Sequence, residues 1–191
     1  MDRFTFEVLE EDQKEKLHTW LYRNRNLYPW VYFPNEIEFS NKFDHWYPVV
    51  YDNGSIIAWM KVGRSQVYVH DFETVTEFPD KLAFIYDTFV DPEYRGRGLG
   101  SMMIKQTKIF LAEHGYDAVA CHIEDWNKPS IKTFQSNSFS PLGQIRFLRI
   151  LFFRLLLVEG RPRRLNTLSH WLEKKKDSVR NQKKDGLISH R

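Results

Sequence analysis

The stretch Arg95-Gly96-Arg97-Gly98-Leu99-Gly100 sets three glycines and two arginines between an apolar run and a helical pattern. That combination suits the holding of an anion. Glycine carries no side chain, so backbone N–H groups can approach a ligand closely there. At a helix start those N–H groups lack intrahelical partners, and the positive end of the helix dipole adds to their pull. Spacing predicts a helix from Gly100 to Gly115, stopped at His114-Gly115, and a buried strand over Leu82 to Val90. Residues 95–101 are therefore expected to bind the phosphates of a cofactor.

Three phosphate-binding schemes compete. A P-loop needs Gly-Lys followed by Ser or Thr, and no such tripeptide occurs. A dinucleotide fingerprint needs G-x-G-x-x-G at the strand end, whereas Ser101 stands where the third glycine belongs and Asp91 to Arg95 intervene. Glu124 or Asp125 could serve as its downstream acidic residue, so that scheme stays open as the weaker match. In the third scheme, Arg95-x-x-Gly98-x-Gly100 after Val90-Asp91-Pro92-Glu93-Tyr94 resembles motif A of the GNAT superfamily of acetyl-CoA-dependent N-acetyltransferases. Asn127, Ser130, Phe134 and Phe139 resemble the family's motif B, so the resemblance covers residues 82–139. A glycine-rich turn that merely joins strand to helix is the plain alternative.

The resemblance implies an α/β (α+β) fold, with a mixed, mostly antiparallel central sheet and helices on both faces. It implies acetyl-CoA as cosubstrate; the expectation of no metal rests instead on the scattered histidines. Phe89 and Val90 would contact pantetheine through the strand backbone, and Arg95, Gly96, Arg97, Gly98, Leu99, Gly100 and Ser101 would hold the pyrophosphate. Asn127, Ser130 and Phe134 would complete the cofactor site from motif B. As a plain helix N-cap, Asn127 needs no function. Two departures matter. Phe134 stands where relatives often carry a Tyr that protonates the leaving thiolate, and Ser138 replaces the glycine of a Gly-Phe pair. They keep a second reading in view, a non-catalytic coenzyme A-binding module.

Acetyl transfer from a thioester to an amine needs an unprotonated amine, a donor for the carbonyl oxygen and a departing thiolate. By resemblance the donor is a backbone N–H at or beside Val90. One well-placed donor lowers such a barrier by about 3–4 kcal/mol. A lysine-like amine has a pKa near 10.4, so a base helps near neutral pH. Asp87 is the first candidate, because it interrupts an otherwise apolar strand three residues before Val90. Glu124, at the end of the next strand, is the second; His122 shares its alternation and reads as a structural histidine. Solvent exposure or pairing with a basic neighbour is the plain alternative for Asp87. A thiol pKa near 8.5 makes thiolate a tolerable leaving group without the missing Tyr.

The elements that must position these groups can be read in outline. Phe4 to Leu9 alternates as a strand, and Leu17, Trp20 and Leu21 fall at helical spacing. Tyr47 to Tyr51 and Ser55 to Val62 flank Asp52-Asn53-Gly54, a strong hairpin signal. Gln66 to His70 and Ala118 to Ile123 read as strands and Lys128 to Ser136 as a short helix. Residues 22–47 hold nine Tyr, Trp or Phe; Tyr28 to Pro34 could cradle a cationic or sugar-like acceptor, or pack as a lid.

At 191 residues the chain is long enough for one substantial core, read as an acetyltransferase domain over 1–160 and a basic, partly disordered extension over 161–191. One cysteine, Cys121, excludes an internal disulfide framework and, with no signal pattern, points to the cytoplasm. Scattered histidines give no metal-ligand spacing. Residues 146–191 hold thirteen Lys/Arg against four Asp/Glu, so the net charge of +3 divides into −6 over 1–145 and +9 beyond. The acidic body suits a small-molecule amine substrate. Nucleic acid is not the expected partner, and the oligomeric state, monomer or homodimer, stays open. Ile145 to Val158 fits either two closing strands or an amphipathic helix carrying Arg146, Arg149 and Arg154. The helix could lie on an anionic membrane, and the basic segment 145–191 could make weak membrane-surface contact or let the chain act as a peripheral membrane or nucleic-acid adaptor.

Overall fold

The computed structural model describes residues 3–9, 13–27, 43–69, 74–150 and 153–160. The centre of the aromatic stretch (28–42) and the basic extension beyond Gly160 lie outside these residues. The chain divides into two compact units, one of residues 1–67 and 78–139, the other of 68–77 and 140–191.

The first unit is built on a five-stranded sheet of β1 (Phe4–Leu9), β2 (His45–Asp52), β3 (Ser55–Gly63), β6 (Leu82–Val90) and β7 (Ala118–Cys121), in that order. All neighbours run antiparallel except β6 and β7, which are parallel. Asn53 and Gly54 both take positive φ in the β2–β3 turn, the twist a two-residue hairpin requires. Two short strands, β4 (Gln66–Val69) and β5 (Thr74–Glu77), pair with each other.

Helices cover both faces of the large sheet. On one face α1 (Lys14–Arg23) buries Leu17 and Leu21 against Leu9, Tyr47, Val49, Trp59 and Phe89. On the other, α2 (Leu99–Glu113) sets Leu99, Met103, Ile104 and Leu111 against Ala58, Met60, Val62, Ala83 and Ile85. Each fully buried aliphatic side chain of this kind contributes about 1.5–3 kcal/mol relative to exposure.

The third helix, α3 (Lys128–Ser136), has the bounds that spacing predicts. Asn127 caps its start by accepting a hydrogen bond from the Ser130 N–H at 3.2 Å. Its end is a Schellman motif: the Phe139 N–H donates to Phe134 O and the Ser138 N–H to Gln135 O. The motif brings Phe134 and Phe139 edge to face at 5.0 Å. Ser138 holds φ +68, a left-handed conformation that glycine adopts without strain.

In the second unit, β8 (Gly143–Ile150) and β9 (Phe153–Gly160) form an antiparallel hairpin in which Arg149 pairs with Arg154. The amphipathic-helix option for 145–158 is thereby overturned. Its β-branched, aromatic and leucine run pairs across a two-residue connection that carries no turn residue. Strand β7 also ends earlier than expected, at Cys121 instead of Ile123, because its pairing with β6 stops there.

Candidate acetyl-transfer site

Strands β6 and β7 stay paired from Leu82↔Ala118 only as far as Ile85↔Cys121. Beyond that point β6 runs on through Tyr86 to Val90 while β7 has ended, so the sheet opens a gap beside β6. What the backbone offers to that gap follows from the ladder on the opposite side. Asp91 N–H donates to Ile57 O at 2.8 Å, which makes Ala58 and Val90 a non-hydrogen-bonded pair. The N–H and C=O of Val90 therefore point away from β3, toward the side where β7 has left. The carbonyl accepts from Arg95 Nε at 3.0 Å.

The glycine-rich turn follows directly. Asp91 caps a short 3₁₀ turn, Pro92–Tyr94, by accepting from the Glu93 N–H at 2.9 Å. Tyr94 OH donates to Asp52 Oδ2 at 2.9 Å, and Arg3 donates to both oxygens of the same carboxylate. These bonds from Arg3 and Tyr94 hold the Asp52 carboxyl below its usual range, so the turn is anchored to the β2–β3 hairpin. Gly96 (φ +75) and Gly98 (φ +79) both lie in the left-handed region, and a Cβ at either would meet nothing within 4 Å. Gly98 is the N-cap of α2, with no side chain to satisfy the N–H groups of the first turn. Arg97 donates to Glu93 O at 3.1 Å and lies 5.1 Å from the Tyr94 ring. Open space, first-turn N–H groups and two flanking guanidiniums fit a pyrophosphate.

Motif B supports this turn from α3. Gly100 lies close under it, where a Cβ would come within 3.6 Å of Thr133 Cγ2 and 3.9 Å of Val90 Cγ2. Asn137, buried at the C-cap of α3, donates to Ser101 Oγ at 2.9 Å and to Thr133 O at 2.8 Å. The Ser101 hydroxyl is thus engaged in clamping α2 to α3. Phe134 is buried in the core between the two helices. Asn137 was not legible as a site residue, since a polar residue after a helix reads as an ordinary cap.

Asp87 sits on a β-bulge. The ladder pairs Lys61 with Tyr86 and Trp59 with Phe89, leaving Asp87 and Thr88 opposite a single residue, Met60. Asp87 has φ +48, a conformation its short polar side chain tolerates better than most. The bulge flips the strand's faces, so that Phe89 joins the α1 cluster while Val90 packs toward α2. Asp87 Oδ2 lies 3.6 Å from Nζ of Lys61, whose side chain is only 2% exposed. Burial pushes the Lys61 ammonium down to about 8 against the opposing pull of Asp87.

Lys61 also lies 5.1 Å from the Tyr86 ring, and the Tyr86 hydroxyl is hydrogen-bonded to Nε2 of the buried His45. Burial and nearby Lys14 push His45 down to about 4, and burial raises Tyr86 well above its usual value. Lys61 breaks the apolar run Ile56 to Val62 as Asp87 breaks β6, and that shared signal could have found it.

The structure does not bring Glu124 to this cluster. It is exposed beyond the end of β7, where its carbonyl accepts from the Asn127 N–H at 3.0 Å. Burial pushes Cys121, at the last β6–β7 pair, up to about 12, which keeps it a thiol at neutral pH.

Comparison with known proteins agrees with this geometry. Residues 32% identical over 53 positions relate the chain to thialysine N-epsilon-acetyltransferases of Sus scrofa and Bos taurus. That match takes in 28% of this chain and 31% of each relative, so the chain spans about a third of the length of the curated relatives it matches. The fold is shared with an aminoglycoside acetyltransferase from an uncultured soil metagenomic sample (TM-score 0.54, 16% identity, 80% of this chain and 97% of that one). It is also shared with an aminoglycoside acetyltransferase solved with a CoA–acetylneamine bisubstrate analogue (TM-score 0.58, 18% identity, 77% and 97%). The sequence matches the acetyltransferase (GNAT) family over residues 5–139, well over half its length, and the chain belongs to that family.

Proposed function

We propose that this chain is an acetyl-CoA-dependent N-acetyltransferase that acylates a primary amine of a small molecule by direct attack in a ternary complex. The observation that carries the reading is the parting of β7 from β6 at Ile85↔Cys121, immediately upstream of the Gly96/Gly98 turn. It leaves the Gly96/Gly98 turn beside a strand whose Val90 N–H is turned to the gap. Acetyl-CoA brings an acetyl group activated as a thioester. The Gly96–Ser101 backbone with Arg95 and Arg97 would hold its pyrophosphate, and Val90 its pantetheine arm; Phe89, expected to share that role, pairs its backbone with Trp59 and buries its side chain in the α1 cluster, away from the gap.

In the transfer, an amine–carbonyl bond forms and the carbon–sulfur bond breaks. The Val90 N–H donates to the carbonyl oxygen as negative charge develops there, an effect of about 3–4 kcal/mol for one preorganised donor. Asp87 takes the proton that the attacking nitrogen must lose. The thiolate leaves without a tyrosine, since Phe134 has no hydroxyl to offer. The relatives act on, or are solved with, amines: thialysine in the curated pair, acetylneamine in the bisubstrate complex. The charge of −6 over residues 1–145 favours a cationic acceptor of that kind.

The test is release of free thiol from acetyl-CoA with thialysine, lysine and neamine offered as acceptors. Acceptor-dependent release supports the reading. Binding of acetyl-CoA with no acceptor-dependent release would instead favour a coenzyme A-binding module, the reading that Phe134 motivates.

A further inference from the structure

We infer that Lys61 is the positioning residue for Asp87: its buried ammonium holds the Asp87 carboxylate at the β6 bulge, turned to the α1 face of the sheet. The inference rests on the acetyltransferase reading above and deepens it. Three independent features carry it. First, the bulge removes Asp87 from the ladder, so the strand itself does not fix the direction of its side chain. Second, Lys61 lies across from Tyr86 on the neighbouring strand, and its Nζ is 3.6 Å from Asp87 Oδ2. Third, the lysine is buried while the carboxylate keeps a solvent-facing side, 24% exposed. A charge buried so deeply is tolerated only when paired, so the ammonium and the carboxylate constrain each other. The exposed side of the carboxylate stays available for a proton from an acceptor amine.

Burial makes the lysine a conditional cation, against the pull of Asp87. Asp87 and Tyr86 face it from β6, His45 and Tyr47 lie on β2, and Lys14 and His18 on α1. His45 is neutral above pH 4, and the Asp87 carboxylate lies 3.6 Å from the Lys61 ammonium. Since Lys61 loses its proton near pH 8, the wild-type pair dissolves above that pH. An arginine at the same place stays charged throughout.

The experiment compares wild type, Lys61→Met, Lys61→Arg, Asp87→Asn and the Lys61→Met/Asp87→Asn double variant. Each is measured for kcat/KM against pH, with whichever of thialysine, lysine or neamine the wild type acetylates. Acetyl-CoA binding is measured alongside. Lys61→Met is expected to lower kcat/KM at pH 7 about tenfold or more, within the range a general base contributes, with acetyl-CoA affinity retained. Lys61→Arg is expected to restore most of the rate and to abolish the fall above pH 8. In the Asp87→Asn background, Lys61→Met is expected to change the rate by less than about twofold, because Lys61 acts through Asp87.

A Lys61→Met loss that persists undiminished in the Asp87→Asn background, or a pH profile unchanged by Lys61→Arg, would overturn the inference while leaving the acetyltransferase reading intact. A wild type that binds acetyl-CoA and acetylates none of the amines would overturn both. If Lys61→Met does not fold, Lys61→Gln takes its place in the same comparison.

Discussion

Ser138 spends a left-handed conformation on closing α3, with φ +68 at the first residue past the C-cap. An L side chain there costs about 1 kcal/mol relative to glycine, and the Schellman bonds do not involve the hydroxyl. Ser138→Gly is therefore expected to raise the melting temperature by about 2–4 °C, measured by calorimetry, with acetyl-CoA binding unchanged. His45 makes the opposite kind of contribution. Its imidazole is neutral and buried in the native state down to about pH 4, whereas the unfolded chain takes up the proton near 6.5. Between those values the unfolded state binds more protons, so stability falls as pH falls, by about 3 kcal/mol over the whole window. Urea titrations of wild type and His45→Gln at pH 7 and pH 4.5 check this. The variant is less stable at pH 7 but is expected to lose less between the two values.

Among elements, the β6–α2 turn separates glycines that look alike in the sequence. Gly98 needs its positive φ and faces open space, whereas Gly100 is helical and a Cβ there makes ordinary contacts with Thr133 and Val90. Gly100→Ala is expected to fold and to bind acetyl-CoA within about threefold of wild type, with helix propensity gained. Gly98→Ala is strained by about 1 kcal/mol or more, which a thermal melt of the two variants resolves. The clamp from Asn137 to Ser101 works at the same scale. Asn137→Ala leaves the half-buried Ser101 contact unmade, at a cost of about 1 kcal/mol in melting experiments. It is expected to weaken acetyl-CoA binding as the start of α2 loosens from α3.

For the whole molecule, much of the first unit was legible because local chemistry and tertiary structure agree. Asn53-Gly54 dictates its hairpin, Leu17 and Leu21 their helix face, and Asn127 with Pro129 the start of α3. The glycine spacing at 95–101 marked, for the same reason, a turn with two left-handed glycines leading into α2. The bulge at Asp87-Thr88 was not legible, since nothing in Tyr86-Asp87-Thr88 distinguishes a strand that skips a partner from one that does not. That single extra residue decides which face Asp87 shares with Lys61, and it hid the buried cluster with His45 and Tyr86. The hairpin of β8 and β9 was ambiguous because its run fits both periods and carries no turn residue between the strands. Acetyl transfer at this site depends first on coenzyme A binding at the turn. Calorimetric titration of acetyl-CoA into wild type and Gly98→Trp tests that most directly, with circular dichroism to verify that the variant is folded. The account predicts micromolar binding to wild type that disappears when tryptophan fills the open space at Gly98. Wild type that binds neither acetyl-CoA nor free coenzyme A would contradict it.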